Sequence, residues 1–374
     1  MIYFDYAASC PLDEEAAEVY IKASTEYYGN TKSLHDIGSK AGTLLEHCRQ
    51  ELARLLAVEE KGVYFTSGGS EGNFLSVRAL LSSTEKKGKH IITSIAEHSS
   101  IQSVFQQLED EGYETTYLPL DNEGFIHMDQ LHASIREDTI LICIQHGNSE
   151  IGTLQPILDI SRICKKKDIL FHSDCVHTFG KIDLKPIAQV VDSLSISSHK
   201  FYGPKGVGLI YIHPRHNWQP FFPGAVHEKG IRPGTINLPA IASMTVAASK
   251  AYNTLQQSQS HYRMLRKALI QHIALANQPI LVYNADENKQ IMSTIGMRIK
   301  GLEGQYVMLE ANRLGFALAT GSACSTDQLA PSKTMKAIGV PYKEAKEFFR
   351  ISLGRSTTLK DIEELAAALL KITH

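Results

Sequence analysis

Short apolar runs rich in β-branched side chains recur along the chain: GVYF, HIIT, TILICIQ, DILFHSD, DSLSIS and VGLIYI. Segments long enough for helices separate most of them, among them NFLSVRALLSS, SIQSVFQQLEDEG and PILDISRICKKKD. Unbroken apolar runs suit strands buried on both faces, and their alternation with helices predicts a mainly parallel α/β sheet. The alternation continues to about Tyr252, after which LQQSQSHYRMLRKALIQHIALANQ reads as one long helix. The remainder of the chain, ending in KDIEELAAALLKI, reads as a separate α+β unit. The chain therefore divides into a large unit over 14–252 and a smaller one made of 1–13 and 253–374.

Composition narrows the function classes. A chain of 374 residues is long enough for two domains, and 43% hydrophobic against 21% charged residues is ordinary for a packed globular protein. Lys+Arg 38 against Asp+Glu 40 provides no basic field, so nucleic acid is not an expected partner. The start, MIYFDYAASC, has no basic region ahead of an apolar one, and no apolar stretch reaches the roughly 18 residues that span a bilayer. No membrane partner is expected, and the expected location is cytoplasmic. Six cysteines, with no CxxC pair, point to reduced thiols, most of them inert and buried.

In a parallel α/β sheet the ligand sits beyond the carboxyl ends of the strands, so the loops after the apolar runs are where chemistry collects. After GVYF comes TSGGSEGN, which opens a helix; small residues at such a turn let backbone N–H groups converge on a phosphate. The turn is neither a Walker A loop nor GxGxxG, which argues against ATP and dinucleotides. Asp174 ends one apolar run and Lys200, in SSHKFYGPKG, comes after the next, so carboxylate and amine face one cleft. Such a pair serves as a salt bridge, or as the Schiff-base lysine and ring-nitrogen partner of a pyridoxal phosphate site. His98, after HIIT, is placed to lie against such a ring.

The motifs YFDYAAS, GNTKSLHDIG, FTSGGSEGN, AEHSS, QHGNSEIG, HSDCVHTFGK, SSHKFYGPKG, HEKGIRPGT, TGSACS and FRISLGR appear in this order. In them the chain resembles the NifS-type cysteine desulfurases of the class-V aminotransferase family, over essentially its whole length. The resemblance implies a fold-type I pyridoxal phosphate enzyme with a seven-stranded, mainly parallel sheet in the large domain. It implies that Lys200 carries the pyridoxal 5′-phosphate, that Gly69, Ser70, Ser197 and His199 hold its phosphate, and that Thr235 completes the phosphate site from the other subunit of a homodimer. His98 would stack on the ring and move protons, while Asn30 and Arg350 would hold the carboxylate of L-cysteine. Cys324, among the small residues of GSACS, would take the sulfur as a persulfide and pass it to an acceptor protein serving iron–sulfur cluster or thio-cofactor synthesis.

Three departures from the usual family pattern stand out, one of them conservative: Ser70 stands for a common threonine in the phosphate loop. His177 stands where glutamine commonly reaches the ring hydroxyl of the cofactor; a neutral imidazole still donates one hydrogen bond. Asn148, Ser149 and Glu150 stand for Asn-Asn-Glu, leaving Asn148 or Ser149 to contact the cofactor. A metal site in HSDCVH is not expected, because Cys175 points away from the strand face shared by His172 and Asp174. Selenocysteine lyase, another pyridoxal enzyme of this fold and an inactive persulfide platform are the alternatives. The platform predicts loss of Lys200, Asp174 or Cys324, and all three are present.

Overall fold

The computed structural model describes residues 1–276, 278–321 and 331–373. Its strands are β1 (Ile2–Tyr3), β2 (Val63–Thr66), β3 (His90–Ser94), β4 (Glu114–Leu118), β5 (Thr139–Cys143) and β6 (Leu170–Asp174). They continue with β7 (Ser193–Ser197), β8 (Gly208–Ile212), β9 (Ile280–Tyr283), β10 (Thr294–Ile299), β11 (Phe316–Ala317) and β12 (Phe348–Ser352). The seven-stranded sheet runs β2-β8-β7-β6-β5-β3-β4. Pairings from β7 across to β4 are parallel, while β8 runs antiparallel to both β7 and β2.

Apolar patterning explains this sheet at all but one edge. The strands β2, β3, β5, β7 and β8 are buried at every position, as their unbroken apolar or small side chains require. β4, ETTYL, buries only Leu118 and closes the edge with polar side chains, which is why no apolar run marks it. One face packs through Leu52, Leu56, Phe171, Phe179 and Phe201, the other through Leu80, Ile101, Phe105 and Ile140. The connection from β6 to β7 contains only a short helix, Lys185–Ala188. Gly180 takes φ +73 there and Pro186 removes a donor, so the segment turns instead of forming a full crossover helix.

A third core lies under the antiparallel sheet β12-β10-β9. It joins Phe4, Leu265 and Leu269 to Ile295, Met297, Phe349, Ile362 and Leu365. The helix Leu255–Leu275 and the terminal helix Leu359–Ile372 supply its apolar stripes. β1 pairs with β11, so the first residues of the chain belong structurally with its last hundred or so. Met335, Ala337, Ile338 and Phe348 pack instead against the core of the large sheet. Among the described residues no helix is long and apolar enough to cross a membrane.

Candidate active site

The carboxyl ends of β2, β3, β5, β6 and β7 open on one cavity of about 150 Å³. After β2 the chain turns at Gly68, φ +151, into α3 (Gly69–Ser83). That turn needs glycine twice over. Gly68 is outside the range of ordinary side chains, and a Cβ on Gly69 would lie 2.5 Å from Val176 Cγ2. The helix N-terminus thus abuts the ends of β6 and β7, where Gly69, Ser70, Ser197 and His199 border both the cavity and an adjoining recess. Ser197 Oγ lies 3.0 Å from His199 Nδ1. Burial and the Lys200 charge push the His199 imidazole down to about 4, so it faces the recess uncharged.

Asp174 is the last residue of β6 and Lys200 lies three residues past β7, on neighbouring parallel strands. Asp174 Oδ1 accepts from Val176 N at 2.9 Å and Oδ2 from Asn73 Nδ2 at 2.7 Å. Lys200 Nζ donates to the carbonyls of Ala7 and Ala8 at 2.7 and 2.8 Å. His98 N-caps α4 (Ser99–Asp110), with Nδ1 accepting from Ser100 N, and lines the cavity. Arg350, in β12, reaches the same cavity from the other core. Its guanidinium donates to Ser149 O at 2.9 Å and Asp5 Oδ1 at 2.8 Å, and its buried Nε has no partner among the described residues.

His177 lines the cavity as well. Its Nε2 lies 2.9 Å from Thr294 Oγ1, and its buried Nδ1 has no partner among the described residues. Burial, with Lys181, Lys200 and Arg350 nearby, drives the imidazole well below its ordinary value, so it is neutral. Ser149 borders the cavity, whereas Asn148 does not. The Asn148 amide is committed elsewhere: Oδ1 accepts from Glu150 N and Ile151 N, and Nδ2 donates to Thr334 Oγ1. Of these two neighbours, Ser149 is therefore the one at the site.

Two expected residues lie apart from the cavity. Asn30 is exposed beyond α1 (Glu14–Glu26), its Oδ1 accepting from Lys32 N in a surface turn. Thr235 is exposed in the stretch after the turn His227–Gly230, away from the cavity of its own chain. Cys324 lies outside the described residues. Conversely, Asn73, Gln145, Val176 and the Ala7–Ala8 segment line the cavity without having been singled out. Asn73 closes the TSGGSEGN motif, the one signal that pointed to it.

The aminotransferase class-V family model matches residues 2–365. The chain belongs to that family. It is 44% identical to a putative cysteine desulfurase NifS of Bacillus subtilis, over 98% of this chain and 93% of that one. A solved NifS-like protein superposes with TM-score 0.91 at 29% identity, covering 99% of this class-V chain and 98% of its own. SspA, solved in complex with cysteine, gives TM-score 0.81 at 30% identity over 94% of this chain and 99% of that one. Class-V enzymes work with pyridoxal phosphate, so the cavity can be tested against that group.

Proposed function

We infer that the protein is a cysteine desulfurase: a homodimeric pyridoxal 5′-phosphate enzyme that converts L-cysteine to L-alanine and hands the sulfur to an acceptor protein. The observation that carries this reading is the convergence of Lys200, Asp174, His98 and Arg350 on one cavity behind a glycine-built helix N-terminus. The residues fit the cofactor. The α3 N-terminus with Ser70, Ser197 and His199 suits its phosphate, Asp174 its ring nitrogen, and the unpartnered His177 Nδ1 its ring hydroxyl. Thr235, exposed on its own subunit, completes the phosphate site of a second copy of this chain. When bound, the cofactor supplies an electron sink for the substrate carbons.

The chain's own groups do the rest. Arg350 takes the cysteine carboxylate, its fork oriented by Asp5 and Ser149 O. Lys200 accepts and returns protons at the substrate carbons beside the Ala7–Ala8 carbonyls. The Cys324 thiolate attacks the substrate sulfur: the S–S bond forms, the Cβ–S bond breaks, and its electron pair remains with carbon, which is protonated to give alanine. The third core supports assigning 1–13 and 253–374 to a smaller unit that carries Arg350 and Cys324, with 14–252 as the cofactor unit. The five described cysteines are free and buried, in keeping with a reducing, cytoplasmic setting.

The test is alanine and sulfide production from L-cysteine with a reducing thiol, in the wild type, Cys324→Ala and Lys200→Ala. Production should depend on both residues. Borohydride should fix the cofactor to the wild type and to Cys324→Ala, and leave Lys200→Ala unlabelled. Alanine and sulfide production that survives in Cys324→Ala would refute Cys324 as the sulfur-accepting group, and a cofactor-loaded wild type that makes neither would refute the desulfurase reading.

A further inference from the structure

We propose that Asn73 and Ser100 are positioning residues that hold His98 with its Nε2–H as a hydrogen-bond donor towards the cavity, leaving Lys200 to take the substrate's protons. The proposal rests on the desulfurase reading for its kinetic consequence alone; the state of His98 is fixed by hydrogen bonds.

Asp174 sets the direction of the network. Its carboxylate only accepts, so the Asn73 atom 2.7 Å from Oδ2 is the amide nitrogen. The Asn73 oxygen then faces inward, accepting from the Ser195 hydroxyl and from His172 Nε2 at 3.1 Å. His172 is fully buried, and that burial pushes its imidazole down to about 3, so the ring is neutral. With Nε2 donating to Asn73, its Nδ1 accepts from Ser193 Oγ at 2.7 Å. His172 and Ser195 are inaccessible to solvent and Asn73 is buried in the cavity wall, so the inward bonds of the network have protein partners alone.

The second N–H of the Asn73 amide points at Ser100 Oγ, 2.9 Å away. Ser100 Oγ accepts there, and its own proton is directed to His98 Nδ1 at 2.8 Å. The backbone N–H of Ser100 donates to that same nitrogen at 3.2 Å. Two donors converge on Nδ1, so it carries a lone pair and the ring proton sits on Nε2. Protonating Nδ1 would set an N–H against both donors. His98 thus offers the cavity an N–H, from which it can orient a bound group and give it a proton, the proton-moving part that the resemblance implies for it. The amine of Lys200 is left as the proton acceptor. Through one amide, the same Asn73 holds both Asp174 and the Ser100–His98 pair.

Long-range nitrogen–proton spectra of the [15N]histidine-labelled holoenzyme read the tautomer directly, with His98→Gln identifying the signals. The proton on Nε2 at neutral pH is expected; a proton on Nδ1 or a charged ring would overturn the proposal. In the kinetic arm, Ser100→Ala and Asn73→Ala should lower kcat by roughly 10- to 100-fold with little change in KM. Ser100→Thr, which restores the hydroxyl, should recover most of that loss. Unchanged kcat in both alanine variants, or a threonine variant no better than alanine, would defeat the proposal. An Nε2–H ring in a wild type that makes no sulfide supports the positioning and counts against the desulfurase reading instead.

Discussion

At the scale of single residues, the neighbour of His98 in sequence titrates out of its usual range. Glu97 is buried, its carboxylate accepting from Ser94 Oγ at 2.6 Å and from Gln145 N at 3.0 Å. Burial outweighs those bonds and, with the Asp174 charge adding to it, pushes the carboxyl up from 4.5 to about 8. Between those values the folded chain keeps a proton that the unfolded chain has released. This contribution to stability is fully present below 4.5 and is lost as pH rises towards 8. The urea midpoint should fall across that window. Glu97→Gln, whose amide mimics the protonated acid, should flatten the fall; identical pH dependence in the two proteins would contradict the assignment.

At the scale of elements, one buried ion pair ties three segments together at β2. Arg49, on α2 (Asp36–Leu56), donates to Glu228 Oε1 at 2.9 Å and to Val63 O at 2.6 Å. Glu228 Oε2 also accepts from Phe65 N at 2.7 Å, so β2 is clamped between helix and turn. Glu228 and Lys229 hold this turn with φ of 45 and 53, a conformation that side chains rarely adopt. Glu228→Ala leaves the Arg49 guanidinium with only the exposed Glu46 carboxylate, 3.1 Å away, as a charge partner and should cost up to about 3–5 kcal/mol in urea unfolding. A loss below about 1 kcal/mol would mean that the pair behaves like an exposed one.

The same scale separates what could be read from sequence from what could not. Buried strands announce themselves as apolar runs, and the residues at their carboxyl ends or just past them, Asp174 and Lys200 among them, are placed by that fact alone. β4 is hidden because an edge strand needs no apolar code, and the β6–β7 connection has a helix's length without its backbone. Asn73 lies inside a motif visible in the sequence, yet its partners Ser100, Asp174 and Ser195 come from 27 to 122 positions away. Only the packed sheet brings them together. Asn30 and Thr235 carry expectations from resemblance that the cavity of a single subunit does not use.

At the scale of the whole molecule, the cavity is assembled from both ends of the chain. Arg350 belongs to β12, its partner Asp5 to the first residues, and Ser149 to the loop beyond β5. Asp5→Asn weakens the ion pair without emptying the position. On the carboxylate-binding role proposed for Arg350, it should raise KM for L-cysteine several-fold while leaving kcat much less affected. An unchanged KM would mean that Ser149 O alone orients the guanidinium.

The amine of Lys200 rests on two main-chain oxygens, those of Ala7 and Ala8. Every residue carries such an oxygen, so no side-chain replacement at 7 or 8 deletes it, and an alanine scan is blind at positions that are already alanine. The cradle of the Lys200 amine is thus buffered against point mutation and exposed to changes of length. The first eight residues behave as a ruler, whose spacing between Asp5 and Ala8 is what inheritance has to preserve.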